Sequence, residues 1–515
     1  MTIGPLRFIN EATMPIDLND TGLEAAFTFE TERGGVVEEP PFHILALGDW
    51  SGDAETKPLA QRGPVEIDRD NFDEIIARLN TRLDLDFDDG STLELEFDSL
   101  DAFHPDEIFK RVEMFDQLRG LRKKLNNSES FNSAAYDARQ LFGIKRQNVE
   151  PVAAEETEPA DNLLDAILTK PDGGAAAPKR KLSGELGGLI SELVRPHLVT
   201  VDEEQQSSLV SLVDSATSGL MRRILHHKKF QTLEAAWRGL WFLVRRTETS
   251  TELKIFLLDA GKDELSADLK EAENLAATHL YRILVRDATE TPGGEPWSVI
   301  AADYAFSPNV DDIATLMRVS KIAGAAGAPF ISHMRPDVLG VHSLHEHADS
   351  SEWNLDSNSD SAKLWSALRG QSDSRFLGMT IPRFAGRLPY GSNTEPLEMF
   401  TFEEFEGVSE HDNYLWANGC FAAATLLAQS FSENGWEMGD RLLQDLDGLP
   451  VHIYKESSEK IYKPCAEVPM TDNGVNKLIG IGLMPLVSYR GTDRIKLAIF
   501  QSISETNGKL AGRWQ

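Results

Sequence analysis

The chain has 515 residues and carries 51 lysines and arginines against 83 aspartates and glutamates, a formal charge of -32 at pH 7. That length suggests about three domains with ample cores, and that charge excludes the basic footprint that grips phosphate backbones, so nucleic acid is not an expected partner. Two cysteines, Cys420 and Cys465, supply neither a disulfide framework nor a four-ligand zinc site, and no uninterrupted run of about 18 apolar residues or leader-like start occurs, so a cytoplasmic protein without direct membrane insertion is expected.

Residues 1–40 are polar with scattered apolar positions and read as an extended arm able to add a strand to a neighbour. From Phe42, FHILALGDWSG predicts a buried strand entering a glycine turn, and VEIDRDNFDEIIARLNTRLDL a strand and an amphipathic helix. TLELEFDSL alternates as a strand with one solvated face does. HPDEIFKRVEMFDQLRGLRKKLNN reads as a helix opened by Pro105 with its basic residues late. Residues 41–145 are therefore expected to form a small α/β domain. Residues 146–182, rich in Ala, Pro, Gly and charge, read as an acidic linker that lets flanking domains fold separately, with NLLDAIL as a short apolar cluster able to dock as a helix.

The remainder, 183–515, opens with helical spacing. LSGELGGLISELV at 182–194 predicts an amphipathic, partner-facing helix, and Phe230, Leu233, Trp237, Leu240 and Leu243 recur at helical intervals. LKIFLLDA and WSVIAADYAF are apolar runs of buried-strand type, each followed by a helical stretch, and FLGMTIPR, LWANGCFAAATLLAQSFSENG and LPVHIYK continue the mixture. The alternation predicts an α/β fold with a mixed or largely parallel sheet between helices.

Several blocks resemble, in order, the large type VI secretion sheath subunit family, TssC: LHHKKFQTLEAAWRGLWFLVRRTET, GGEPWSVIAADYAFS, AGAPFISHMRPDVLG, DSRFLGMTIPRFAGRLPYG and HDNYLWANGCFAAATLLAQSFSENGW. FHILALGDWSG, VEIDRDNFDEII and LEFDSLDAFHPDEIFKRV resemble the small sheath subunit, TssB. The resemblance implies a sheath-like fold, here with both subunits joined in one chain. It implies a non-enzymatic structural role without cofactor, and partners among other type VI sheath subunits, baseplate or inner-tube components and the disassembly ATPase. Because the sequence ends soon after MPLVSYRGTDRIKLAIFQS, where that family continues, a specialised accessory sheath protein of ImpD-like kind is the expectation. A regulatory adaptor of sheath assembly or disassembly is the alternative.

Arg238, Arg245 and Arg246, and likewise Arg375, Arg383 and Arg387, are candidate interface residues, since guanidinium forks hold carboxylates on a partner; the latter three could equally pair internally. His342, His345 and His347, with Glu346 and Asp349, are the densest potential metal-ligand group and would serve a metal-dependent hydrolase. They lack HExxH spacing, and a solvated loop is the bland reading. Trp237, Trp241 and Phe242 are expected in the core, His226 and His227 at the surface or an interface, and Cys420 as a buried small hydrophobe.

Overall fold

The computed structural model describes residues 39–143, 205–354, 358–406, 410–456 and 459–514. Residues 1–38 of the expected arm, the linker and the helix at 182–194 lie outside them. The all-apolar FHILALG forms strand β1 (Phe42–Gly48), buried throughout. Its exit turn needs glycine at position 52: φ is +65°, and an added Cβ would fall 2.5 Å from the Arg82 carbonyl. Then come β2 (Val65–Glu66), α1 (Phe72–Arg78) and the hairpin of β3 (Arg82–Asp86) with β4 (Thr92–Glu96).

The helix expected from Pro105 is two helices, α2 (Pro105–Arg111) and α3 (Glu113–Leu125). Val112 between them is extended (φ -84°, ψ 120°) and buried, so the chain turns there and α3 directs Met114, Phe115 and Leu118 inward. Helix α4 (Phe131–Leu141) follows. After the linker come α5 (Gln205–Leu225) and α6 (Lys228–Arg245). His227 caps α6, its ring nitrogen accepting from the Lys229 N–H, so this histidine has a local structural task.

The rest alternates as expected: β5 (Leu253–Asp259), α7 (Lys262–Glu271), β6 (Trp297–Phe306), α8 (Val310–Ala326), β7 (Phe330–Met334), α9 (Asp360–Arg369) and β8 (Leu377–Ile381). The helical stretch after β5 is interrupted where Asn274 and Thr278 cap new turns, and it resumes as a π-helix over Arg282–Glu290. Short strands β9 (Phe384–Ala385) and β10 (Trp416–Ala417) pair with each other before α10 (Gly419–Asn434). Then follow β11 (Asp445–Leu446), the hairpin β12 (Ile453–Glu456)/β13 (Glu459–Tyr462), α11 (Asp472–Gly480), β14 (Met484–Ser488) and β15 (Ile495–Leu497).

Nine strands form one sheet in the order β11-β15-β14-β8-β7-β6-β1-β5-β2. Its centre is parallel: β1 pairs with β5 and β6, β6 with β7, β7 with β8, and β8 with β14. Strands β2, β15 and β11 add antiparallel edges. Residues from 41–145 and from the later region thus contribute to one sheet. Strand β1 lies between two strands from beyond the linker, and a fully apolar strand needs neighbours on both edges and cover on both faces. Phe42 stacks on Phe431 at 4.7 Å, and the Trp50 ring N–H donates to the Leu258 carbonyl at 3.1 Å. Trp237 donates to the Trp50 carbonyl at 3.1 Å while packing on Phe72, and Phe230 packs on Phe103. Trp237 and Phe242 are buried and Trp241 half-buried, as their helical spacing implied.

Candidate interface and buried ion-pair network

Helix α6 places Glu234 and Arg238 one turn apart, and the Arg238 Nε bonds the Glu234 Oε1 at 2.7 Å. Arg387 arrives from the loop after β9 and grips two carboxylates: Glu234 at 2.8 and 3.3 Å, and Glu404 at 2.8 and 3.1 Å. Tyr390 completes the group. Its hydroxyl accepts from Arg238 at 3.0 Å, its backbone N–H donates to Glu404 at 2.7 Å, and its ring lies under the Arg387 guanidinium. Glu234, Glu404 and Arg387 are all buried, so two cations and two anions balance inside a low-dielectric core. Burial alone would raise the Glu404 carboxyl, but the Arg387 charge and hydrogen bonds from Arg387 and the Tyr390 N–H, with the His226 ring 3.7 Å away, outweigh it and hold the pKa at about 2. Arg238 and Arg387 thus point inward and serve the fold, the internal pairing left open for Arg387 by its sequence.

Arg383 also pairs within the chain, forking onto Glu467 at 2.6 and 3.1 Å. Beside Glu467 lies His333, 4% exposed, which burial first and Arg383 second push down to about 4. Arg246 donates to the carbonyls of Asp447 and Gly448 at 2.7 and 3.0 Å and lies over the Phe242 ring. Arg245 and Arg375 differ. Both are exposed, each leans on an adjacent ring (Phe242 and Phe376), and neither has a carboxylate partner among the described residues.

The histidine loop does not converge. His342 is exposed and bonds Asp337 at 3.1 Å, His347 bonds Glu352 at 2.9 Å, and His345 stacks flat on His411 at 4.0 Å. Among the described residues no three His, Cys, Asp or Glu side chains group as metal ligands. Cys420 is fully buried at the start of α10, where burial raises its thiol well above the ordinary value, as its small-residue context implied.

Sequence reasoning passed over two aspartates at the carboxyl ends of the central strands. The parallel strands run β5-β1-β6-β7-β8-β14, so the order reverses between β1 and β6, where open α/β sheets form a crevice. Asp49 follows β1 and Asp303 lies in β6; a Cβ on Gly48 would come 3.3 Å from that of Asp303. Asp259 at the end of β5 is engaged by the backbone N–H of Trp50 at 2.9 Å and the Ser51 hydroxyl at 3.0 Å. Desolvation, and then Asp49, raise Asp303 to about 7 despite a hydrogen bond from Asn418, while desolvation of its carboxyl first and Asp259 second draw Asp49, exposed as a whole residue, up to about 6. The signal was in the sequence as an acid ending each apolar run, LALGD and VIAAD.

The sequence that builds this parallel-centred sheet and its inward-turned polar network matches known families. Residues 207–504 match the family described as EvpB/VC_A0108, tail sheath N-terminal domain, and the chain belongs to that family. Residues 24–141 match the family described as Type VI secretion system, VipA, VC_A0107 or Hcp2. The type VI secretion system sheath protein TssC1 of Pseudomonas aeruginosa is 34% identical over 292 residues, 56% of this chain and 59% of that protein, so the chain spans about three-fifths of this relative. The resemblance to both sheath subunits, read from ordered sequence blocks, therefore stands, as does the α/β fold. No helix among the described residues is long and apolar enough to cross a membrane.

Proposed function

We propose that this chain is a structural subunit of a bacterial type VI contractile sheath, acting by assembly with other sheath subunits in the cytoplasm and carrying out no bond chemistry. The observation that supports it most is strand β1: a strand from the VipA-like segment completes the sheet of the tail-sheath segment, so a single chain supplies what the two families describe separately. Arg245 and Arg375, exposed and without carboxylate partners among the described residues, are the cations best suited to hold an acidic neighbour in such an assembly. An accessory position at a sheath end or against baseplate or inner tube, and an adaptor role toward the disassembly ATPase, are finer forms of the same reading. Coexpression with ordinary sheath subunits followed by negative-stain imaging tests it. Incorporation into tubes or tube ends is expected, and long contractile tubes from this chain alone would make it the repeating subunit instead. Failure to associate with any sheath subunit would remove the assembly reading.

A further inference from the structure

Helices α2, α3 and α5 and the segment Ser392–Phe402 enclose a groove of about 820 Å³. That lies within the range of about 300 to 1,000 Å³ that ligand-holding clefts occupy, and none of the roles above uses it. Its apolar side is built on Phe109 stacked against Phe400 at 4.5 Å, with Leu397 half-buried and Met399 43% exposed. Its other side carries three cations, Arg119, Arg122 and Lys123, against two carboxylates, Asp214 and Glu398, a net positive lining. Arg122 is held by Asp214 at 2.6 Å and Arg119 by Asp116, whereas Lys123 has no carboxylate partner among the described residues.

The chain leaves and re-enters the described residues beside this groove. Helix α4, which ends at Leu141, packs against α3 and α5. Helix α5 begins at Gln205, the Gln206 amide donates to the Leu125 carbonyl at the end of α3 at 2.7 Å, and Asp214 and Thr217 of the same helix line the groove. Within the intervening segment, residues 155–168 read EETEPADNLLDAIL, with five carboxylates, no lysine or arginine, and Leu163, Leu164, Ile167 and Leu168 at helical spacing. From Gly143 to Glu155 an extended chain reaches roughly 40 Å, about twice the ~20 Å length of α3. The segment can therefore reach any part of the groove.

We propose that residues 155–168 of the same chain dock in this groove, the four aliphatic side chains against Leu397, Met399 and Phe400 and the carboxylates toward Lys123 and Arg119. The acidic-apolar composition of the segment complements the basic-apolar composition of the groove in a chain whose overall charge opposes acidic association elsewhere. Tethering supplies an effective concentration on the order of millimolar, so a modest intrinsic affinity fills the site. The docked segment would bridge α2 and α3, from the VipA-like part, to α5 and Ser392–Phe402, from the tail-sheath part.

The test places a photoreactive p-benzoylphenylalanine at Met399, an exposed position, in the full-length chain, irradiates it at low micromolar concentration and maps the linked peptides by mass spectrometry. A cross-link within one chain to residues 155–168 is expected. It should fall by at least about fivefold with Leu164→Asp plus Ile167→Asp, with Arg119→Glu plus Lys123→Glu, and in high salt. Cross-links mainly to other segments, or between two chains, overturn the proposal. As a second measurement, amide exchange over 155–168 should be slowed in the unaltered chain and accelerated by Arg119→Glu plus Lys123→Glu, with the thermal melt confirming that the variant is folded. Exchange at free-peptide rates in the unaltered chain also overturns it.

Discussion

Replacing Asp303 by Asn should make the protein more stable at alkaline pH while changing little in acid. Asp303 sits in β6 against the end of β1, faced by Asp49 from the β1 turn, by the Asn418 amide before α10 and by the Cys420 thiol at the start of α10. The nearby Lys262 ammonium is held by Asp312 at 2.7 Å. The folded-state pKa is raised from 3.8 to about 7, so the folded form retains a proton that the unfolded form releases. The stabilisation this carries is fully present below pH 3.8, falls as pH rises, and is gone above about 7; its ceiling is about 4 kcal/mol. Between pH 5.5 and pH 8 the wild-type chain should lose about 2 kcal/mol from this carboxyl alone. Asp303→Asn removes that slope, and it also relieves Asp49, which titrates jointly with it. The assay is urea unfolding followed by tryptophan fluorescence, with Trp50 beside the site as reporter. Equal pH slopes in wild type and variant, or a variant weaker at pH 8, would refute the account.

Arg387→Met should cost about 3 to 5 kcal/mol, because it leaves the buried carboxylates of Glu234 and Glu404 without their shared cation; a denaturant midpoint shift measures it. The Glu404 pKa is lowered to about 2, so the stability it contributes is present above about 4.5 and is lost only as pH falls toward 2, which an acid titration of far-ultraviolet circular dichroism should show as absent in Glu404→Gln. Gly239→Ala should destabilise by roughly 1 to 3 kcal/mol despite favouring a helix, since the added Cβ would meet the Phe421 ring at 2.4 Å and force α6 and α10 apart. Thermal melts would register it.

The strands were legible because buried parallel strands are short apolar runs, and β1, β5 and β6 announce themselves as FHILALG, LKIFLLD and WSVIAADYAF. Their pairing was not. The register of Phe42 with Leu253 joins residues more than 200 positions apart, and all-apolar strands carry no alternation to tell one neighbour from another, which is why two segments looked like two domains. Of the buried network, Glu234 and Arg238 could be read as an i,i+4 pair on a helix, whereas Arg387 meets Glu234 across 153 positions, so its sequence left interface and internal pairing equally open. The histidine loop shows the converse: density in sequence gave no convergence in space, because His342 and His347 turn to carboxylates five positions away while His345 stacks on the distant His411.

The shared sheet makes a definite claim about what the linker does. If the two segments were merely tethered neighbours, cutting between them would release two folded domains. Here separation strips β1 of both partners and exposes Phe42, Ile44, Leu45 and Leu47, all at 0% exposure. At about 1.5 to 3 kcal/mol for each large side chain, these four alone oppose separation by roughly 6 to 12 kcal/mol before Trp50, Phe72 and Phe103 are counted. A protease site introduced at Gly173–Gly174 and cleaved after folding should therefore leave a complex that co-elutes in native gel filtration and comes apart only in denaturant. The linker then acts on folding, by supplying the first segment at high local concentration while the sheet forms, and is dispensable for holding the finished sheet together. Fragments that part in native buffer would show instead that β1 is held by the tether and not by its place between β5 and β6.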